Sequence, residues 1–196
     1  RARPAIAVVL LARRAWFWRC HDVSVPNVFF HSRGNITPSY SGTNHVGANM
    51  TIRLKSVSEC LVNKLSDASS NQRKKAIIIA CTDAVNASGV SIPIVDEAIE
   101  KLRHGELFSP DLVASLINLS NNIDFLYLDS QEKSERNKIS SENYLKLFSQ
   151  ARTVSALALA GSDETLFSTS EAIYEASMAV SNHDIFINNI LSAFSD

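Results

Sequence analysis

From Met50 onward, apolar residues recur every three or four positions, which is the spacing of one face of an α-helix. The pattern begins with Leu54, Val57, Leu61 and Leu65. It continues to the end of the chain, and no segment alternates apolar and polar residues as a half-buried strand does. The sequence therefore predicts an all-α fold, a single bundle of about six to seven helices preceded by an irregular N-terminal segment.

Helix boundary signals divide this pattern into seven segments. Serine, asparagine and proline residues mark the starts, since they cap or begin helices. The predicted starts after the first helix are Asn71, Pro93, Ser109, Ser140 or Ser141, Ser162 and Asn182. Glycines follow three of the segments, at Gly89, Gly105 and Gly161. Residues 131–138 are polar and of mixed charge, and we predict a loop there.

The first 49 residues differ in composition from the rest. They contain six Arg, no Lys and one acid, Asp22, together with both Trp. They show no helical periodicity, so we expect a non-core segment at 1–49 and a helical domain at 50–196. The segment has three interpretations: translation upstream of a natural start at Met50 or vector-derived sequence, a targeting peptide, or a genuine arm.

The charge distribution restricts the classes of partner. Residues 50–196 contain 13 Lys and Arg against 19 Asp and Glu, and no cation follows Arg152. Nucleic acid is disfavoured, because phosphate contacts need clustered cations. No apolar run reaches the length that crosses a membrane. Three cysteines without metal-like spacing favour a cytoplasmic protein.

Five residues near the C-terminus form the candidate binding site. Glu171 and Glu175 share one helical face with Tyr174, and Asp163 and Glu164 precede them. Residues 153–196 contain no cation that could pair with these carboxylates. The sequence therefore predicts an acidic patch that binds a basic protein partner. The alternative is an ordinary solvated helix face.

No pattern predicts a catalytic, metal or cofactor site. Glu100 and His104 share a helical face, but a di-iron bundle needs two Glu-x-x-His pairs and two more Glu. Cys81 is predicted to be buried and inert. Residues 73–75, RKK, are predicted to form a solvated edge of a helix. We therefore expect a protein that is not an enzyme.

Two segments carry a family resemblance. Residues 72–85, QRKKAIIIACTDAV, resemble the second helix of small bacterial helical families, some of which are described as immunity proteins of toxin systems. Residues 151–160, ARTVSALALA, followed by 171–176, EAIYEA, resemble their later helix pair. The resemblance covers about 60 residues. It implies an all-α bacterial protein that binds a partner.

Three functional hypotheses follow. The first is a small cytoplasmic protein-binding module, immunity- or antitoxin-like, that uses the acidic C-terminal face. The second is a helical enzyme or ligand-binding bundle with an internal pocket that converges on His104, Cys81 or Tyr144. The third is a homodimer whose interface is the alanine-rich pair formed by the fifth and sixth helices.

Overall fold

The computed structural model describes residues 52–137 and 142–195, and these residues form a helical bundle. The seven α-helices are α1 Glu59–Asp67, α2 Ser70–Ser88, α3 Pro93–Arg103, α4 Pro110–Asn137, α5 Glu142–Ala160, α6 Leu166–Ala179 and α7 His183–Leu191. Short 3-10 turns lie at Arg53–Ser56 and Ser192–Phe194. No strand occurs within the described ranges, so the predicted all-α fold is confirmed. The predictions for 1–49, and for a start at Met50, lie outside the described residues.

Several predicted helix boundaries are confirmed by cap geometry. Gly89 ends α2 with a left-handed φ of 59°, and Gly105, after α3, has a φ of 70°. Pro93 is at the first turn of α3. The Ser109 hydroxyl accepts a hydrogen bond of 3.2 Å from the backbone N–H of Leu112 and so caps α4.

Other boundaries differ from the prediction. Ser69 caps α2 in a reciprocal capping box with Gln72, so the cap is not Asn71. Thr165 caps α6, which therefore begins after the predicted Ser162. Ser140 and Ser141, the predicted caps of α5, lie outside the described residues.

The predicted loop at 131–138 is wrong over 131–137, where α4 continues. Its mixed charges are spaced four residues apart, and such pairs stabilise a solvated helix. Lys133 Nζ lies 2.7 Å from Asp129 Oδ2, and Arg136 forms an ion pair with Glu132. The charges that suggested a loop therefore support the helix.

The core lies where α5 packs along both α4 and α6, with α2 crossing α5 and α6. Small side chains allow this close approach, as predicted for the fifth and sixth helices: Ala156, Ala172 and Ala176 have no exposed surface. Larger side chains with no exposed surface fill the remaining space, among them Leu61, Leu65, Leu116, Val154, Leu157 and Ile173.

None of the helices in the described ranges has the length and apolar character needed to cross a membrane.

Candidate functional site

Five charged side chains from four elements meet inside the bundle. They are Arg53 from the first 3-10 turn, Asp124 from α4, Arg152 from α5, and Glu171 and Glu175 from α6. Both glutamates are 3% exposed, and Asp124 and Arg152 are 6% and 8% exposed. Because burial of a charge is costly unless it is paired, this arrangement, which we call the charge cluster, is held by its own ion pairs.

Arg53 binds both glutamates of α6. Its Nε donates to Glu171 Oε2 over 2.6 Å, and its Nη2 lies 2.8 Å from Glu175 Oε1. The backbone N–H of Arg53 also donates to Glu171 Oε1, over 3.3 Å. The guanidinium carbon lies 4.4 Å from the ring centre of Tyr174, a cation–π distance. Arg53 is therefore fixed by two carboxylates and one aromatic ring.

Arg152 links three helices. Its Nη1 donates to Glu175 Oε2 over 3.0 Å, and its Nη2 forms an ion pair with Asp124. Desolvation on burial would lower the pKa of Arg152, but Glu175 and Asp124 outweigh it and raise the pKa. Glu175 thus lies between two guanidinium groups, one from Arg53 and one from Arg152.

The charge cluster contains three carboxylates and two guanidinium groups, so its formal charge is −1. Two of its buried atoms, Asp124 Oδ1 and Arg152 Nε, have no hydrogen-bond partner among the described residues. Buried polar atoms without partners are uncommon in folded proteins. The cluster therefore leaves one buried acceptor and one buried donor unsatisfied.

The two central carboxylates of the predicted acidic face, Glu171 and Glu175, are buried in the structure and are not part of an exposed face. The cations that pair with them lie outside residues 153–196, the segment that contains no Lys or Arg: Arg53 precedes α1, and Arg152 lies on α5. Tyr174 is half-buried and contacts Arg53. These three predicted residues therefore lie together, but as part of an internal site.

Asp163 and Glu164, the other two predicted residues, are exposed in the connection before α6. Glu164 Oε1 lies 2.8 Å from Lys74 Nζ. Asp163 Oδ1 accepts hydrogen bonds of 2.9 Å and 2.7 Å from the backbone N–H and the hydroxyl of Thr165, the cap of α6. Both carboxylates therefore have partners within the chain, and they are separate from the charge cluster.

The residues considered for catalysis have structural contacts instead. His104 Nδ1 lies 2.8 Å from the backbone oxygen of Glu100, and the Glu100 carboxylate binds Arg103 Nη1 over 2.7 Å. Cys81 has no exposed surface, and burial raises the pKa of its thiol to about 12. Among the described residues, no group of three or more His, Cys, Asp and Glu is arranged to hold a metal ion.

Two of the surface depressions in the described part of the chain are formed by α2 and its neighbours. One, of about 40 Å³, lies between the N-terminal half of α2, the end of α3 and the connection from α5 to α6. The other lies between α2 and the last 3-10 turn. Neither is lined by His104, Cys81 or Tyr144, the residues on which the hypothesis of an internal pocket depends.

An apolar surface lies on α4. Phe125 is 73% exposed, Ile117 44% and Leu128 43%. Phe125 lies eight positions after Ile117, and Leu128 lies eleven positions after it. These spacings place all three side chains on one side of the helix. We call this surface the α4 face. The sequence does not reveal this face, because its apolar residues have the same chemistry as those of the core stripe on the same helix.

The resemblance to immunity proteins stays a prediction, since it rests on helix-forming residues alone. The chain matches no protein-family model, and neither a curated protein nor a solved structure is significantly similar to it.

Proposed function

We propose that the chain is a helical protein-binding module and that the α4 face is its docking surface. The observation that supports this most is the 73% exposure of Phe125 beside two further exposed aliphatic side chains. Burial of such a side chain contributes about 1.5 to 3 kcal/mol. Aromatic side chains that become buried on binding are also typical anchors of protein interfaces.

The charges on α4 indicate the chemistry of the partner. Outside the core, the helix carries four acids, Asp111, Asp129, Glu132 and Glu135, against two cations, Lys133 and Arg136, each of which pairs with one of these acids. An amphipathic helix whose apolar stripe is flanked by Lys or Arg matches this surface in both hydrophobicity and charge. The proposed partner is therefore basic, as the sequence suggested, but it docks on α4 and not on the carboxylates of α6.

A second copy of the chain fits the α4 face less well, because self-association would bring two acidic helices together. The buried alanines of the fifth and sixth helices also give little support to a dimer interface there. Ala156, Ala172 and Ala176 are fully buried within the chain, so they offer no surface to another copy.

Isothermal titration calorimetry on the full chain tests the docking surface. The probe is a synthetic amphipathic helix with a leucine stripe flanked by lysines. We expect Phe125→Ser to weaken its binding about tenfold or more, since the anchor loses its apolar burial. The matched control is Leu107→Ser: Leu107 is also 73% exposed but lies before α4, and its substitution should leave the affinity unchanged.

A second peptide, with glutamates in place of the lysines, tests the charge argument and should bind more weakly than the first. If Phe125→Ser and Leu107→Ser weaken binding of the first peptide equally, the binding is general hydrophobic adhesion, and this result would contradict a docking surface on α4. Self-association that Phe125→Ser abolishes would instead show that the occupant is a second copy.

A further inference from the structure

We propose that Glu171, Tyr174 and Glu175 form a binding site for a guanidinium group and that the chain closes this site with its own Arg53. The site lies on α6 and in the charge cluster, so it is independent of the α4 face. Its ligand class is a guanidinium, presented either by a small molecule or by an arginine side chain of a peptide.

The contacts around Arg53 select a planar guanidinium. Two of its nitrogens, Nε and Nη2, are directed at carboxylates on successive turns of one helix, at 2.6 Å and 2.8 Å. Its guanidinium carbon also lies over the Tyr174 ring, 4.4 Å from the ring centre. A guanidinium has several donors in a fixed plane and stacks on aromatic rings, whereas an ammonium is a point charge. The site is therefore built for one chemical class of cation.

Arg53 blocks the solvent side of this site. Its side chain is 31% exposed, whereas the side chains of Glu171 and Glu175 are 4% exposed. Leu54, the next residue, has no exposed surface and anchors the 3-10 turn in the core. Leu54 therefore holds the backbone of the turn, and opening of the site requires only that the Arg53 side chain break its contacts with Glu171, Tyr174 and Glu175.

The electrostatics favour an external cation once Arg53 leaves. With Arg53 in place, three carboxylates face two guanidinium groups; without it, they face Arg152 alone. Glu171 then loses the cation that it binds in the described structure. An unpaired buried carboxylate is strongly unfavourable, and this cost drives the binding of a replacement cation.

Calorimetry on the full-length Arg53→Ala variant tests the site, with ethylguanidinium as the probe. We expect saturable binding of ethylguanidinium. The affinity for ethylammonium, which lacks the planar donors, should be at least about tenfold lower. The matched control is the double variant Arg53→Ala with Glu171→Gln. Its affinity for ethylguanidinium should be about tenfold or more below that of Arg53→Ala alone. The wild-type chain should bind at least about tenfold more weakly than Arg53→Ala, because Arg53 occupies the site.

A capped Gly-Arg-Gly peptide distinguishes the two sources of ligand: its binding assigns the site to an arginine side chain, and binding of ethylguanidinium alone assigns it to a small molecule. Absence of saturable binding, or equal affinity for the ammonium, would overturn the proposal. Equal affinity of the wild type and Arg53→Ala would overturn the role of Arg53. If Arg53→Ala does not fold, Arg53→Met, which keeps the apolar stem, takes its place. Failure of both to fold would also overturn the proposal, because a residue that must leave the site cannot be required for folding.

Discussion

Arg152 donates from Nη1 to Oε2 of Glu175 over 3.0 Å, and this ion pair joins α5 to α6 inside the bundle. The same guanidinium binds Asp124 of α4 through its other terminal nitrogen. Three helices therefore depend on one buried cation. Removal of one partner from a buried ion pair leaves an uncompensated charge, which costs more than the ion pair itself contributes.

Arg152→Met should destabilise the protein by about 3 to 5 kcal/mol, since Glu175 and Asp124 would lose the cation they share. Urea denaturation followed by circular dichroism measures the change. The control is Arg103→Met: Arg103 pairs with Glu100 over 2.7 Å, but both side chains are well exposed. Exposed pairs contribute about 1 kcal/mol or less. Similar losses in the two variants would show that the Arg152 ion pairs are not desolvated.

Asp163 gives a prediction about pH. Burial would raise the pKa of its carboxyl, but hydrogen bonds from Ser168 and Thr165 outweigh this and lower it. Because its folded pKa is depressed, Asp163 stabilises the fold above the unfolded value near 4 and loses this effect as pH falls through the folded value. We expect Asp163→Asn to cost under about 1 kcal/mol at pH 7, since the group is mostly exposed and screened by solvent.

The Asp163→Asn difference should be constant between pH 5 and pH 7 and should shrink as pH falls below about 4. Urea midpoints of the wild type and the variant across this range provide the measurement. A difference that stays the same at pH 3 would mean that the charged state of Asp163 has no part in capping α6.

Gly161 follows α5 at a position with no room for a side chain. A Cβ added there would overlap the ring of Phe108, meeting Cγ, Cδ2 and Cε2. Phe108 is itself buried, so the ring cannot move freely. We expect Gly161→Ala to cost about 1 to 3 kcal/mol through overpacking.

The Phe108→Leu background provides the check on this steric account, because a smaller side chain leaves room for the new methyl group. Gly161→Ala should cost less in that background, and a double-mutant cycle measures the difference. Strict additivity of the two substitutions would show that Gly161 does not contact Phe108.

Cys81 should resist alkylation in the folded protein. It has no exposed surface, and burial raises the pKa of its thiol to about 12, so the reactive thiolate is absent at pH 8. Cys60 is exposed and should react with iodoacetamide under the same conditions. Peptide mass spectrometry distinguishes the two sites, and fast labelling of Cys81 in native protein would contradict its burial.

The sequence predicted the fold well, because helix periodicity and caps are local signals. Gly89, Pro93 and Ser109 act at the boundaries that their chemistry indicated. The exceptions arose where two local signals compete. Ser69 and Asn71 are both good caps, and the reciprocal bond with Gln72 decides for Ser69. The charged end of α4 looked like a loop because its stabilising pairs are visible only at helical spacing.

The candidate site was harder to predict, because its contacts join residues that are far apart in the sequence. Arg53 and Glu171 are separated by 118 positions, and Arg152 and Glu175 by 23. One signal was present: Arg152 lies next to Ala151 and two residues before Val154, within the apolar stripe of α5. A cation at a core position requires a buried counter-charge, and Asp124 and Glu175 supply it from the two helices that pack along α5. No comparable feature of the sequence around Arg53 indicates that it pairs with Glu171.

Comparison of Glu175→Gln with Glu164→Gln in urea denaturation at pH 7 tests most directly whether the acids of α6 form internal ion pairs. Glu175 is 3% exposed between Arg53 and Arg152, whereas Glu164 is exposed beside Lys74. We expect Glu175→Gln to cost about 3 kcal/mol or more, because two buried guanidinium groups lose their shared carboxylate. Glu164→Gln should leave the urea midpoint almost unchanged. Equal midpoints for the two variants would contradict the buried charge cluster and would return Glu175 to an exposed acidic face.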